Sequence, residues 1–162
     1  MTDIIVNGMA FSLPLFIIAV GGIYSERSGV TNLALEGFLG AGAFFGAVFV
    51  TLTSGLFAAT SQLPMYLALI VAMLGGALYA VIHAVLCIKF KANQVISGVM
   101  VNILAMALTD FLTSQINSVA LGQSSDKFVL TVSGRLTFEP LASIPVLGGF
   151  FTNVYPFEFV II

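Results

Sequence analysis

Polar side chains that can hydrogen-bond an uncharged solute stand beside or inside apolar stretches of this sequence. Asn32 and Glu36 are four residues apart, so in a helix they would share a face. Asn93 and Gln94 precede another apolar stretch, and Asn102 follows about two helical turns later. Polar groups inside a membrane are costly unless they are paired or hydrated, so they tend to line helix interfaces or solute paths. We predict that these five residues contribute to a solute path; spacing alone leaves open that Glu36 is a solvated loop residue.

The residue types needed for catalysis or for metal binding are sparse. His83 and Cys87 lie four residues apart, but they are the only histidine and cysteine in the sequence, and a zinc site needs more ligands. We expect His83 to be hydrogen-bonded within a helix bundle and Cys87 to be a buried thiol. Ser97 could pair with His83 as a nucleophile, but no Gly-x-Ser-x-Gly turn frames it. We therefore predict no catalytic residue and no metal site.

Nucleotide hydrolysis and nucleic-acid binding are also disfavoured. The sequence contains no Gly-Lys pair, so the phosphate-binding pattern GxxxxGK[ST] is absent. Its Lys and Arg residues number 5, which makes no basic surface for a nucleic acid. We expect no cofactor on this chain and no nucleic-acid partner.

The elements that must position these residues are membrane-spanning helices. Of 162 residues, 59% are hydrophobic and 7% are charged, whereas soluble proteins carry about 25% charged residues. No Asp, Glu, Lys, Arg or His lies between Asp3 and Glu26, and only His83 lies between Glu36 and Lys89. Because about 20 apolar residues in a helix cross a bilayer core of roughly 30 Å, the sequence predicts an all-α, polytopic transmembrane helix bundle.

We predict about four complete spans and the start of a fifth. The spans are expected at about 4–24, 37–54, 65–88 and 95–115, with the fifth beginning at 157. The apolar run from 157 to 162 is too short to cross a bilayer. We therefore expect 1–162 to be a single transmembrane domain and the N-terminal part of a longer protein.

Small residues recur at four-residue steps on two of the predicted spans. This spacing places them on one face of each helix, where small side chains let another helix approach closely. We predict that the following residues form helix-packing faces: Gly42, Gly46, Ala72, Gly76, Ala80 and Ala84.

Basic residues in short loops predict the orientation in the membrane. The loops at 25–36 and 89–94 carry lysine or arginine, whereas the short segments at 1–3 and 55–64 carry neither. Basic short loops favour the cytoplasmic side. The long stretch at 116–156 is then predicted to be an extracytoplasmic loop.

Two local conformations are less determined by the pattern. Residues 128–138 are compatible with a small hairpin that turns at Ser133-Gly134. Residues 30–36 could form a loop, a re-entrant piece or a broken helix.

Two stretches of the sequence resemble a known family. Residues 25–43 read SERSGVTNLALEGFLGAGA, which resembles the "SERxGVxNLxLEGxxxxGA" stretch of permease subunits in bacterial ATP-binding-cassette (ABC) importers of the branched-chain amino acid/ribose permease superfamily. Residues 91–105, KANQVISGVMVNILA, resemble the nucleoside and simple-sugar branch, as does Ile144 to Gly148. Asp110 matches nothing in the pattern.

The resemblance implies a transport subunit and not an enzyme. It implies the membrane-spanning permease of an ATP-driven importer for nucleosides or simple sugars, in the bacterial cytoplasmic membrane. The implied partners are a second permease subunit, a cytoplasmic ATPase that carries ATP and Mg, an extracytoplasmic substrate-binding lipoprotein and the lipid bilayer. The 92–94 segment favours nucleosides over ribose-like or galactose-like sugars, with branched-chain amino acids a further option.

Two other functions share the same sequence features. A secondary transporter or channel that works without ATP would also need apolar spans, small-residue faces and intramembrane polar groups. A non-transporting membrane scaffold that binds partner proteins through 116–156 would need the spans alone.

Overall fold

The computed structural model describes residues 2–57, 61–130, 137–144, 148 and 151. In this part of the chain every regular element is helical, which confirms the all-α prediction. The elements are helix α1 (Thr2–Arg27), helix α2 (Leu35–Thr53), a 3-10 turn (Ser54–Leu56), helix α3 (Leu63–Ala84) continued by a π-helical turn (Val85–Lys89), helix α4 (Gln94–Ala120) and the short helix α5 (Glu139–Ala142).

Three of the described helices are long and apolar enough to cross a membrane. They are α2, α3 with its π-helical continuation, and α4. These helices confirm the predicted spans at 37–54, 65–88 and 95–115, although α4 continues past 115 to Ala120. Helix α1 covers the first predicted span, and its placement across the membrane stays a prediction.

Helix α2 is the central helix of the bundle, because it packs most extensively against α3 and also packs against α4. The α2 and α3 backbones touch at glycines. A Cβ added at Gly42 would lie 2.9 Å from the carbonyl oxygen of Ala72, and one added at Gly46 would lie 3.2 Å from that of Ala68. Contacts this short leave no room for a side chain, so the small residues set the distance between the helices.

The other predicted packing residues lie along the same side of α3. A Cβ added at Gly76 would lie 3.1 Å from the carbonyl oxygen of Phe38, while Ala80 and Ala84 are half-buried. The sequence pattern missed Gly75, which is buried and leaves space for the Phe45 ring.

The buried core is built of small side chains, and the large ones point outward. Ala34, Ala41 and Ala105 are buried with Tyr79, whose hydroxyl donates to the carbonyl oxygen of Val101 at 2.9 Å. Large apolar side chains on the outer faces are exposed, among them Met73, Leu74, Met100 and Met106. Helices in a membrane pack closely through small residues. The faces that carry large apolar side chains are therefore suited to contact with lipid or with further helices.

Part of the predicted 116–156 loop and of its hairpin can be compared with the structure. Residues 128–130 are described and are not in a strand. The turn at Ser133-Gly134 and the fifth apolar run at 157–162 lie outside the described residues.

Candidate functional site

The connection between α1 and α2, residues 28–34, is a turn at 28–29 followed by an extended piece at 30–34, and we call it the crossing segment. Gly29 follows the last turn of α1 with a φ of 85°, a left-handed conformation that glycine adopts without steric cost. Its amide donates to the carbonyl oxygen of Glu26 at 3.0 Å. The chain leaves α1 in this way and then runs beside α4.

The first turns of α4 hold the crossing segment by its backbone. The Gln94 side chain accepts from the Thr31 amide at 2.7 Å and donates to the carbonyl oxygen of Gly29 at 3.4 Å. One turn further, a Cβ added at Gly98 would lie 3.0 Å from the Cβ of Leu33. A glycine at 98 therefore lets the segment lie directly against the helix.

Asn102 clamps the end of the crossing segment to the start of α2. Its Nδ2 donates to the carbonyl oxygen of Leu33 at 2.7 Å, and its Oδ1 accepts from the Gly37 amide at 2.7 Å. Gly37 is in the first turn of α2, where backbone amides have no partner within the helix. A Cβ added at Gly37 would lie 2.8 Å from Asn102 Oδ1, so a side chain there would displace the clamp.

The crossing segment runs along the first turns of α4, with Thr31 and Leu33 exposed and Ala34 buried at its end. Gln94 and Asn102, which contact its two ends, are about 12 Å apart along α4 at 1.5 Å per residue. Residues 30–34 are thus an extended piece packed along α4, and α2 begins at Leu35. Extended backbone at membrane depth is tolerated where it is buried in protein or lines a water-filled cavity.

Asn32 and Asn93 make local hydrogen bonds next to helix starts. Asn32 Oδ1 accepts from the Ala34 amide at 2.9 Å, which turns the chain into α2. Asn93 Oδ1 accepts from the amides of Val95 and Ile96 at 3.0 and 3.2 Å, which is an N-cap of α4. The expectation that Asn32 and Glu36 share a helix face is wrong, because Asn32 lies before α2.

Glu36 differs from the four amide residues in having no hydrogen bond or ion pair within the described ranges. It is exposed in the first turn of α2, where a negative charge interacts favourably with the helix dipole. The structure therefore brings Asn32, Glu36, Gln94 and Asn102 to the crossing segment, with Asn93 beside them. A role for these residues in a solute path stays a prediction.

The Asn93 cap gives a test that separates a structural role from a solute contact. Asn93→Ala is expected to lower the free energy of unfolding by about 1 kcal/mol, because two amides of α4 lose their partner. Asn93→Asp keeps the capping oxygen and should unfold at the wild-type temperature in detergent. If Asn93→Asp is as stable as wild type yet as inactive in uptake as Asn93→Ala, the amide nitrogen acts on the solute.

The histidine, cysteine and serine that sequence reasoning considered for catalysis form one buried cluster. His83 Nδ1 lies 3.0 Å from Ser97 Oγ, which confirms that His83 is hydrogen-bonded within the bundle. Cys87 is a buried free thiol, also as predicted, and its sulfur lies 3.6 Å from His83 Nε2. The pair joins α3 to α4, and both side chains are buried, with His83 3% and Ser97 6% exposed.

Asn117 is a buried polar residue that sequence reasoning did not single out. It lies near the end of α4 and is 1% exposed. Its Nδ2 donates to the carbonyl oxygens of Ser125 and Lys127 at 2.8 and 3.0 Å. These bonds fold the chain after α4 back along that helix. In the sequence, the signal for this role was an asparagine late in an apolar run.

Comparison with known proteins gives a consistent set of relatives. The family described as the permease component of the branched-chain amino acid transport system matches residues 4–160. The guanosine ABC transporter permease protein NupQ of Bacillus subtilis is 36% identical over 148 residues, which is 91% of this chain and 44% of that protein. The nucleoside ABC transporter permease protein NupC of Lactococcus lactis is 32% identical over 148 residues, again 91% and 44%.

A third relative is named for a different solute. The putative glucose ABC transporter permease protein TsgC13 of Haloferax volcanii is 41% identical over 100 residues, which is 62% of this chain and 28% of that protein. No solved structure matches the chain. The chain thus spans less than half the length of these relatives, 44% of the first two.

Proposed function

Because the chain belongs to the family of permease components of branched-chain amino acid transport systems, we propose that it forms the solute path of an ATP-driven importer for nucleosides or simple sugars. It is a multi-pass protein of the cytoplasmic membrane, with three described helices that can span a bilayer. Nucleosides are the favoured solute class, since the two relatives matched over 91% of the chain are named for guanosine and for nucleosides.

The observation that carries this proposal is the crossing segment. Transporters commonly place solute sites where a membrane helix is broken, because the unwound backbone and nearby helix ends offer hydrogen-bonding groups. Here the comparable feature is the non-helical connection between α1 and α2, which α4 holds through Gln94 and Asn102. A scaffold of packed spans would not need extended backbone clamped along α4.

The five predicted path residues divide into two roles. Both polar groups of Gln94 and of Asn102 bind the backbone, so these two residues position the crossing segment. The Glu36 carboxylate and the amide nitrogens of Asn32 and Asn93 have no partner in the described part of the chain, and they supply hydrogen bonds to sugar hydroxyls or base edges. Such contacts should be weak, because a solute that binds tightly is not released.

The proposed assembly follows the family. Two permease subunits pack around a central path, a cytoplasmic ATPase carries ATP and Mg, and an extracytoplasmic lipoprotein delivers the solute to 116–156. The loops at 25–36 and 89–94 lie on the cytoplasmic side, from which residues 30–34 run along α4 toward Asn102. ATP binding on the partner ATPase switches the path from outward to inward access, and this chain itself hydrolyses nothing.

Glu36→Gln is expected to reduce nucleoside uptake about tenfold, which corresponds to about 1.4 kcal/mol of lost stabilisation. The reason is that the substitution removes the negative charge of Glu36 from the crossing segment while leaving every described hydrogen bond in place. The measurement is initial uptake rate in energised cells, with membrane levels of the permease checked by immunoblot.

Glu26→Gln serves as the matched control, because Glu26 is also exposed and precedes the same crossing segment. Wild-type uptake is expected for Glu26→Gln. Wild-type uptake for Glu36→Gln as well would remove Glu36 from the mechanism.

A further inference from the structure

A cavity of mixed chemistry lies between α2, α4 and the chain that follows α4. Its volume is about 310 Å³, and it is lined by Gly40, Ala43, Phe44 and Ala47 of α2, by Thr109, Asp110 and Thr113 of α4, and by Asp126, Lys127, Phe128 and Leu130. This volume is at the lower end of the range of small-molecule sites, about 300–1,000 Å³. A solute that fits it is small.

The cavity lies on the same two helices as the Asn102 clamp, further along both. Asp110 is about 12 Å beyond Asn102 on α4, and Phe44 is about 10 Å beyond Gly37 on α2. The cavity and the crossing segment therefore lie at successive levels along α2 and α4.

The walls of the cavity combine an aromatic surface with carboxylates. The Phe44 and Phe128 rings lie with their centroids 6.2 Å apart and their planes tilted by 43°. Aromatic side chains stack on nucleobases of any type. Asp110 is exposed in a membrane-spanning helix and has no hydrogen bond or ion pair in the described ranges, and an unpaired carboxylate at such a position is by default a functional-site candidate.

The third wall is held in place by a buried side chain. Asn117 donates to the carbonyl oxygens of Ser125 and Lys127, which flank Asp126. Ser125 Oγ also accepts from the Lys127 amide at 3.1 Å. The segment that carries Lys127 and Phe128 is thus held against α4, and through the Phe44–Phe128 contact against α2, where it forms one wall of an open cavity.

We propose that this cavity binds one nucleoside on the transport path, with the base against Phe44 and Phe128 and the ribose hydroxyls bonded to Asp110. The proposal rests on the proposed function and deepens it by naming the residues that bind the base and the ribose. Two carboxylates and one ammonium group give the cavity a net negative charge, which disfavours nucleotides, whose phosphates are anionic.

The test is saturation-transfer difference NMR on the complete permease in detergent, which detects weak binding directly, with guanosine, guanosine monophosphate and ribose as probes. Wild type is expected to give a strong guanosine signal, and signals at least fivefold weaker for the other two. Gly40→Leu should abolish the guanosine signal, because a Cβ added at Gly40 meets no atom within 4 Å and the longer side chain extends into the cavity. Asp110→Asn should reduce the signal several-fold without changing the shape of the wall.

Gly21→Leu is the matched control for Gly40→Leu, because a Cβ added at Gly21 of α1 also meets no atom within 4 Å. It should keep the wild-type signal. Equal guanosine signals in wild type, Gly40→Leu and Asp110→Asn would overturn the proposal, as would no guanosine signal in wild type or loss of the signal in Glu36→Gln alone. Uptake with and without an active ATPase is a separate measurement, so failure of the cavity leaves the importer function standing.

Discussion

Asn102→Ala is expected to lower the free energy of unfolding by about 1–3 kcal/mol, because it leaves the buried Gly37 amide without a partner, and an unsatisfied buried group costs about that much. The substitution also removes the bond to the exposed Leu33 carbonyl; both groups now lie 2.7 Å from the Asn102 side chain. The crossing segment should detach from α4, and uptake should be lost with it. Stability can be followed through Cys87, a buried thiol that a reactive probe labels once the bundle opens.

Asn102→Asp separates the two hydrogen bonds of the clamp. It retains an oxygen for the Gly37 amide and loses the donor to Leu33, so its unfolding temperature should fall between those of wild type and Asn102→Ala. The labelled fraction of Cys87 is measured by mass spectrometry at each temperature, and it ranks the three proteins by unfolding temperature. If Asn102→Ala protects Cys87 as well as wild type does, the clamp does not stabilise the bundle.

Gly42→Ala is expected to destabilise the protein by about 1–3 kcal/mol, the usual cost of forcing extra atoms into a packed interior. The added Cβ would lie 2.9 Å from the carbonyl oxygen of Ala72 and 3.6 Å from the Cα of Gly76. Both neighbours are backbone atoms of α3, so neither can rotate away and the helices must separate. The loss of stability is measured by the same labelling of Cys87 at increasing temperature.

Gly40→Ala controls for the intrinsic effect of alanine in the same helix. A Cβ at Gly40 meets no atom within 4 Å, and alanine favours a helix over glycine by about 0.5–1 kcal/mol. Gly40→Ala should therefore be as stable as wild type or more so. Equal loss of stability in Gly40→Ala and Gly42→Ala would contradict the close α2–α3 contact.

The spans could be predicted from the sequence because bilayer thickness imposes a length on each apolar run. Runs such as 65–88 have few charges, and the helix that forms there needs no partner to satisfy its own backbone. The four-residue step of small residues was visible for a similar reason, since it depends on helix geometry alone. Gly75, one position away from that step, was missed because its importance depends on where the Phe45 ring lies.

The crossing segment could not be predicted from local pattern. Asn32 and Glu36 have helical spacing, yet Asn32 is in extended backbone because α4 supplies hydrogen bonds that replace those of a helix. The deciding contacts join Gly37 to Asn102 and Leu33 to Asn102, more than 60 positions apart in the chain. Asn117 was overlooked likewise, since only the folded chain shows that it holds Ser125 and Lys127.

The most direct test of the importer function is uptake of labelled guanosine, adenosine and ribose by cells that express the complete gene with its operon neighbours. The partner ATPase is either wild type or carries a mutation in its nucleotide-binding lysine, with permease levels matched. The account predicts that nucleoside uptake occurs with the active ATPase and disappears with the mutant. Equal nucleoside uptake with both ATPases would contradict the account and indicate a secondary carrier or channel. A scaffold would be indicated if no solute is taken up although the protein binds a soluble receptor.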